Sequence, residues 1–207
     1  EDGIRDRDVT GVQTCALPIS GDTKATFGTG AFVLTQYGGS VPTSHHRLLA
    51  TIAWQLDGKR AYALEGSVFV AGSLIKWLRD TIGLIGSAAE TEALARSVPD
   101  AGGVYLVPAL SGLGAPWWEP GARGMLTGLS FATSRAHIVR AALEAMAHQA
   151  NDLKSAFAAD GVDWAELRID GGMVANNWMA QDMADLLGLT VERPKFPETT
   201  ALGAAML

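Results

Sequence analysis

The sequence predicts a mixed-sheet α/β domain, and the order of its elements is the main observation behind this prediction. Residues 26–36 predict two short strands around a glycine turn. The apolar run 48–56 is followed by Asp57-Gly58, a dipeptide typical of β-hairpins, and residues 61–64 can pair back onto it. Beyond this antiparallel opening, helix and strand patterns alternate. That combination favours helices packed on a sheet with both antiparallel and parallel strands.

The middle of the chain changes to a helical pattern and then to a loop. Residues 68–84 predict a helix, because their apolar side chains recur at the spacing of one helix face. Residues 103–110 predict a buried strand. Residues 112–123 contain Pro116 and Pro120 and therefore predict a loop.

The last part of the chain predicts strands and helices in alternation. Ser134 can cap a helix that runs to about Ala159. A short strand at 167–169 precedes a helix at 177–187, which Gly188 is suited to end. We expect a strand at 189–193 and one more helix from Thr199.

Composition excludes several classes of protein. Of 207 residues, 48% are apolar and 18% charged, as in folded globular proteins. The net charge is −6 and the basic residues are scattered, so we expect no nucleic-acid partner. No apolar run reaches the roughly 18–20 residues that span a bilayer, so we expect no membrane partner. The single cysteine allows no disulfide framework, which fits a cytoplasmic location.

The first twenty residues look foreign to the rest of the chain. Residues 9–19 match the translation of a sequencing adapter, and they show neither a helical nor a strand period. An ordinary native extension is the alternative, although the acidic start does not fit a signal peptide. We therefore expect a non-native tail at 1–20 and one domain at 21–207, truncated at both ends.

Three glycine-containing turns stand where predicted strands end: Gly28-Thr29-Gly30, the segment 66–72, and Gly171-Gly172. Glycine lets the backbone approach a ligand closely, and a following helix N-terminus can offer N–H groups to a phosphate. Each turn alone is more often a plain turn. None has the spacing of a P-loop or of a dinucleotide-binding fingerprint.

Together with their surroundings, these turns resemble the C-terminal domain of the FGGY carbohydrate kinases. The resemblance rests on residues 26–32, 64–80, 124–144, 170–177 and 200–204, in that order. It implies an RNase-H-like, actin-type ATPase fold and the C-terminal half of a two-domain kinase, with ATP in the cleft between the halves. Mg²⁺ would accompany ATP, with its ligands largely in the other half.

The loop 112–120, followed by Ala122-Arg123-Gly124, is similar to the branch of the family that phosphorylates glycerol. Glycerol would then be the small-molecule substrate, and the parent protein would be a cytoplasmic homo-oligomer. Two alternatives stay open. One is another FGGY sugar kinase, such as a xylulose kinase. The other is an actin- or Hsp70-like ATPase that phosphorylates no metabolite.

The resemblance also assigns site residues. Phe32 would lie against the carbon chain of glycerol. Lys76 stands where the family often has glutamine, and a lysine there could still approach a phosphate. The residues expected to contact the nucleotide are Gly28, Thr29, Gly30, Gly72, Lys76, Gly171, Gly172 and Asn176. We expect Gly28, Thr29, Gly72, Gly172 and Asn176 to converge on one cleft.

No catalytic residue and no metal ligand is assigned. The family's catalytic aspartate precedes the first glycine turn, and Asp22 does not lie in that context.

Other polar and aromatic residues have plainer interpretations. Trp117 and Trp118 are more readily explained as loop-packing side chains, and His137 and His148 as structural or solvated. Glu144 fits a helix-surface charge. Asp170, beside the glycines at a strand end, is equally consistent with a ligand contact and with a structural role.

Overall fold

A six-stranded mixed sheet forms the centre of the computed structural model, which describes residues 20–56 and 58–194. The elements in chain order are β1 (Thr23–Phe27), β2 (Ala31–Gly38), β3 (Leu49–Leu56), β4 (Lys59–Val68), α1 (Gly72–Asp80), α2 (Glu90–Arg96), β5 (Tyr105–Val107), β6 (Met125–Thr127), α3 (Arg135–Ala159), β7 (Glu166–Asp170), α4 (Asn177–Leu187) and β8 (Thr190–Glu192). The main sheet has the order β3-β4-β2-β1-β7-β8.

The strand directions confirm the predicted mixed sheet. The first four strands pair antiparallel with their neighbours, whereas β7 runs parallel to β1 and β8 parallel to β7. Parallel pairing requires crossover connections. Here the connection from β4 to β7 includes α1, α2 and α3. It leads from the antiparallel strands to the strand that pairs parallel with β1.

The core lies between the sheet and α3. Leu143, Met146 and Leu153 of α3 are each at most 1% exposed and pack in one cluster with side chains of the strands. Gly66 of β4 lies so close to Leu153 that a Cβ there would be 2.5 Å from a leucine methyl group. The helix therefore packs directly onto the strand backbone. It also holds in place the sheet edge from which the glycine turns leave.

The predicted ends of the two long helices are confirmed. α3 begins directly after Ser134, and the backbone N–H of Ser134 donates to His137 Nδ1 at 3.0 Å. α4 ends at Gly188, which adopts the left-handed conformation with φ of 62°. Glycine is favoured there because it carries no Cβ.

Two sequence predictions were wrong in their limits or environment. The helix predicted at 68–84 begins at Gly72, because β4 extends through Val68. The buried strand predicted at 103–110 is the three-residue β5, which pairs only with β6 and exposes Tyr105. In this two-stranded ribbon, β5 has no neighbouring strand on its other side to cover it.

Two further predictions lie outside the described residues: the foreign tail, apart from Ser20, and the helix from Thr199. Within residues 20–56 and 58–194, no helix has both the length and the apolar character to cross a bilayer.

Candidate functional site

Two of the glycine turns leave the sheet side by side. β1 and β7 are parallel neighbours, and Thr26 pairs with Asp170 in their register. Because parallel strands end at the same sheet edge, the turn after β1 and the turn after β7 must be adjacent. Ligands bind at this kind of edge in open α/β sheets.

The third turn joins the first through backbone hydrogen bonds. The N–H groups of Ala71 and Ser73 each donate to the Thr29 carbonyl at 3.0 Å, and that of Gly72 donates to the Gly28 carbonyl at 2.8 Å. A Cβ on Gly72 would lie 2.5 Å from the Gly28 oxygen. Only glycine allows this approach. These three donors at the start of α1 are thus used to hold the first turn rather than left open for an anion.

The Gly171-Gly172 turn completes the convergence. Gly171 has a φ of 94°, and a Cβ on it would lie 2.5 Å from the Phe27 carbonyl oxygen. Met173, which follows Gly172, places its Cγ 3.5 Å from where a Gly72 Cβ would be. A Cβ on Gly172 would meet no atom within 4 Å, so this glycine faces open space. The structure therefore brings together the turns that the sequence places far apart.

The first turn has the properties of an anion-binding loop. Thr29 is exposed at its tip. Among the backbone hydrogen bonds that join the described loops and turns, neither the Thr29 N–H nor the Gly30 N–H is a donor. A Cβ on Gly30 would lie 2.5 Å from the Val68 carbonyl oxygen, so this position also requires glycine. Backbone N–H groups in such a concave turn can hold a phosphate without a lysine.

Asn176 caps α4 and is tied to α2. Its Oδ1 accepts from the Met179 N–H at 2.9 Å, and its Nδ2 donates to Thr91 Oγ1 at 3.0 Å. Glu92 Oε2 accepts from the Asn177 N–H at 2.9 Å. The N–H of Asn177 lowers the pKa of the Glu92 carboxyl below its ordinary value, with Arg96 assisting and burial opposing. A carboxylate and a side-chain amide therefore already occupy the start of α4.

Phe32 faces the side of the sheet opposite α3. Ala31 and Val33 on either side of it are core residues, and strand side chains alternate between faces. Phe32 is 37% exposed, and its partner in β4 is Ser67. The Phe32 side chain is thus available to a ligand, two residues after the turn that ends at Gly30.

The loop 112–123 packs against the end of β4. The Ala115 N–H donates to the Ser67 carbonyl at 2.8 Å, and the Trp118 ring meets Phe69 edge-on with centroids 6.0 Å apart. Trp118 Nε1 donates to the Arg47 carbonyl at 2.7 Å. The loop is therefore anchored to β4 and to the residue that follows it. Trp118 fits the loop-packing interpretation.

Three of the remaining candidate residues form ion pairs within the domain, and the fourth is an exposed side chain. Asp170 is 2% exposed and its Oδ2 lies 2.8 Å from Lys24 Nζ, which is itself buried. Glu144 pairs with Arg140 at 2.8 Å along α3. Asp22 forms an ion pair with Arg168 at 3.0 Å. Lys76 is exposed on α1, one turn after Gly72.

The sequence prediction missed the role of α2. Thr91 and Glu92 reach Asn176 and Asn177 across 85 residues of sequence. The sequence did contain an indication of this helix. Acidic residues such as Glu90 and Glu92 are typical of the first turn of a helix, and a basic residue such as Arg96 is typical of the last. At seven residues, the helix is too short to show a clear period.

A cavity of about 150 Å³ lies between α3 and the loop 112–123. Its lining is mostly apolar and includes Val68, Leu106, Leu113 and Trp117. In the part of the chain that the structure describes, no cluster of three or more His, Cys, Asp or Glu residues could hold a metal ion.

The chain belongs to the FGGY family of carbohydrate kinases, because the model of that family's C-terminal domain matches residues 23–207. It is 57% identical over 195 residues to the glycerol kinase of Rhodospirillum centenum, covering 94% of this chain and 39% of that protein. It is also 57% identical over 196 residues to the glycerol kinase of Alcanivorax borkumensis, with the same coverage of both proteins. The chain thus spans about two fifths of the length of these curated relatives.

Among solved structures, the fold matches Plasmodium falciparum glycerol kinase with ADP, at a TM-score of 0.82 and 39% identity. That match covers 90% of this chain and 37% of the other. The actin-like ATPase fold of the FGGY kinases is thereby confirmed for this chain, which corresponds to the C-terminal domain of a two-domain kinase.

Proposed function

We propose that the protein to which this chain belongs transfers the γ-phosphoryl group of ATP to a terminal hydroxyl of glycerol. The observation that carries the proposal is the convergence of the three glycine turns at one sheet edge, directly beside the exposed Phe32. Support for glycerol comes from the relatives that are 57% identical, each a glycerol kinase.

Different turns would contact different parts of the nucleotide. The exposed Thr29 turn offers backbone N–H groups and would hold phosphate oxygens. Gly172 leaves open space into which a ligand can approach the backbone closely. Asn176 would meet the nucleotide next to that turn. Lys76, exposed on α1, would be a further contact.

Phosphoryl transfer depends mostly on positioning and on charge stabilisation, with one group that accepts the hydroxyl proton. We assign no such base among the residues of this chain. Mg²⁺ would neutralise phosphate charge, and its ligands would come largely from the other half of the kinase. Of the glycerol site, this chain would supply Phe32 as an apolar wall against the carbon chain.

A cytoplasmic location and a homo-oligomeric parent are part of the same proposal. The first is consistent with a domain that has no cysteine from residue 21 onward. The second rests on the family resemblance alone.

A chimera tests the proposed activity. Residues 23–207 would replace the equivalent segment of the Rhodospirillum centenum glycerol kinase, and glycerol-dependent ADP release would be measured. We expect activity with glycerol and much less with D-xylulose. Gly72→Val in the same chimera should abolish it, because any Cβ at this position meets the Gly28 carbonyl.

Two results would contradict the proposal. A folded chimera with a preference for D-xylulose would favour another sugar kinase. ATP hydrolysis that does not depend on any acceptor would favour an ATPase of the actin or Hsp70 kind.

A further inference from the structure

We propose that Thr91 and Glu92, the second and third residues of α2, are positioning residues that orient Asn176 and the first turn of α4 toward the nucleotide. This inference rests on the proposed function, because it concerns the same nucleotide site. Neither residue belongs to the glycine turns.

The Thr91 hydroxyl fixes the orientation of the Asn176 amide. Thr91 is 2% exposed, and its Oγ1 donates its one hydrogen to the Ala88 carbonyl at 2.7 Å. The same oxygen can therefore only accept from Asn176, and it does so from Nδ2 at 3.0 Å. Oδ1 must then face the Met179 N–H, which lies at 2.9 Å. One N–H and one lone pair of the amide stay available to a ligand in a defined direction.

Glu92 controls the charge at the start of α4. One carboxylate oxygen accepts from the Asn177 N–H at 2.9 Å, and the other accepts from Arg96 at 3.0 and 3.1 Å. A helix N-terminus is ordinarily favourable for an anion. Here the carboxylate already fills that place, and its charge would repel a phosphate. The Asn176 end of the site is thereby left to the uncharged part of a nucleotide, and the phosphates to the Thr29 turn.

The two contacts act from one short helix. α2 has seven residues, a length at which an isolated helix is not stable in water. Its placement therefore depends on the packing and hydrogen bonds that join it to α3 and α4. Removing the Thr91 acceptor should free the Asn176 amide to rotate while the backbone of α4 stays in place.

The test measures binding of ADP and of pyrophosphate to the 207-residue chain by calorimetry. The variants are Thr91→Val, Thr91→Ser and Glu92→Gln, with Glu90→Gln as the control on the same helix. Glu90 accepts a hydrogen bond from the Gly86 N–H, four residues before it, and not from α4 in the part of the chain that the structure describes. The thermal midpoint of each variant is recorded, and binding is measured where all are folded.

We expect Thr91→Val to weaken ADP binding about 5- to 10-fold, the effect of one lost hydrogen bond, and Thr91→Ser to restore it. Pyrophosphate binding should not change in either, and Glu90→Gln should match the unaltered chain. A general loss of stability would instead lower the thermal midpoint without this selectivity.

The possible failures are distinguishable. If Thr91→Val binds ADP as well as the unaltered chain does, the inference is overturned and the proposed function stands. If the unaltered chain binds no ADP, both are overturned. Should Thr91→Val fail to fold, Glu92→Gln decides, because loss of its charge should tighten pyrophosphate binding while Glu90→Gln changes nothing; unchanged pyrophosphate binding in Glu92→Gln would overturn the inference.

Discussion

Two glycines at the site should respond to the same substitution in opposite ways. In Gly72→Ala, the new methyl group would lie 2.5 Å from the Gly28 carbonyl oxygen, 3.3 Å from its carbon and 3.5 Å from Met173 Cγ. The first of these is a backbone atom that cannot rotate away. In Gly172→Ala, the methyl group would meet no atom within 4 Å.

The expected magnitudes follow from these distances. Forcing an extra methyl group into a closely packed place costs about 1–3 kcal/mol, which for a domain of this size lowers Tm by about 2–12 °C. Gly172→Ala should leave Tm unchanged or raise it slightly, because alanine restricts the unfolded chain. If a nucleotide fills the open space at Gly172, the same methyl group should weaken ADP binding about tenfold.

The assays are thermal unfolding and calorimetric titration with ADP, on the unaltered chain and on both variants. An unchanged Tm in Gly72→Ala would show that the contact between the first and second turns is not as tight as described. Unchanged ADP affinity in Gly172→Ala would show that the Gly171-Gly172 turn does not face the nucleotide. Either result would remove one of the three turns from the site.

Three further substitutions test other contacts. Lys24→Met breaks the buried ion pair with Asp170 and should cost about 3–5 kcal/mol in urea unfolding, whereas a loss below 1 kcal/mol would show that the pair is dispensable. Burial opposes ionisation of Asp160. Hydrogen bonds from Ser44, His45 and His46 outweigh this effect and hold the pKa of the Asp160 carboxyl below its usual 3.8. Its stabilising contribution is thus present above that pH and lost below it, so Asp160→Asn should flatten the acid limb of the stability–pH curve. Phe32→Ala in the chimera should raise KM for glycerol and leave KM for ATP unchanged.

Much of the sheet was predictable because its signals are local. Asp57-Gly58 indicated the hairpin between β3 and β4, and Gly188 indicated the end of α4, since each depends on the conformation of one or two residues. β5 was wrongly predicted to be buried, because burial depends on how many strands flank it. That number is set by the topology and not by the residues 105–107 themselves.

Only part of the site was predictable, because only part of it depends on local sequence. The glycines are visible in the sequence, but their convergence depends on the parallel pairing of β1 with β7. The contacts of Thr91 and Glu92 with the start of α4 could not be predicted from their own neighbourhood, since their partners lie 85 residues away. Sequence reasoning also assumed free N–H groups at the helix starts. In the structure, carbonyls of the first turn and the Glu92 carboxylate occupy them.

The interface between α3 and α4 should make stability depend on pH between about 4 and 6. Asp182 of α4 is partly buried, and burial, together with the charge of Glu144, raises its pKa to about 6, with Arg140 and His148 opposing the shift. The folded state therefore binds more protons than the unfolded state between about pH 4 and 6. The contribution of Asp182 to stability must therefore fall as the pH rises through this window and then remain constant above it.

Replacing this carboxyl with an amide removes the unfavourable charge. Asp182→Asn should raise the free energy of unfolding at pH 7.5 by about 1–3 kcal/mol, which corresponds to a shift of about two pKa units with allowance for partial exposure. The gain should shrink as the pH falls, be small at pH 4 and disappear below about pH 3, where Asp182 is protonated in both states. Urea unfolding at several pH values measures it, with Asp163→Asn, at an exposed position before β7, as the control. A gain that is the same at pH 4 and pH 7.5 would mean that the amide stabilises the interface by packing or hydrogen bonding and that the carboxyl is not destabilised by its charge.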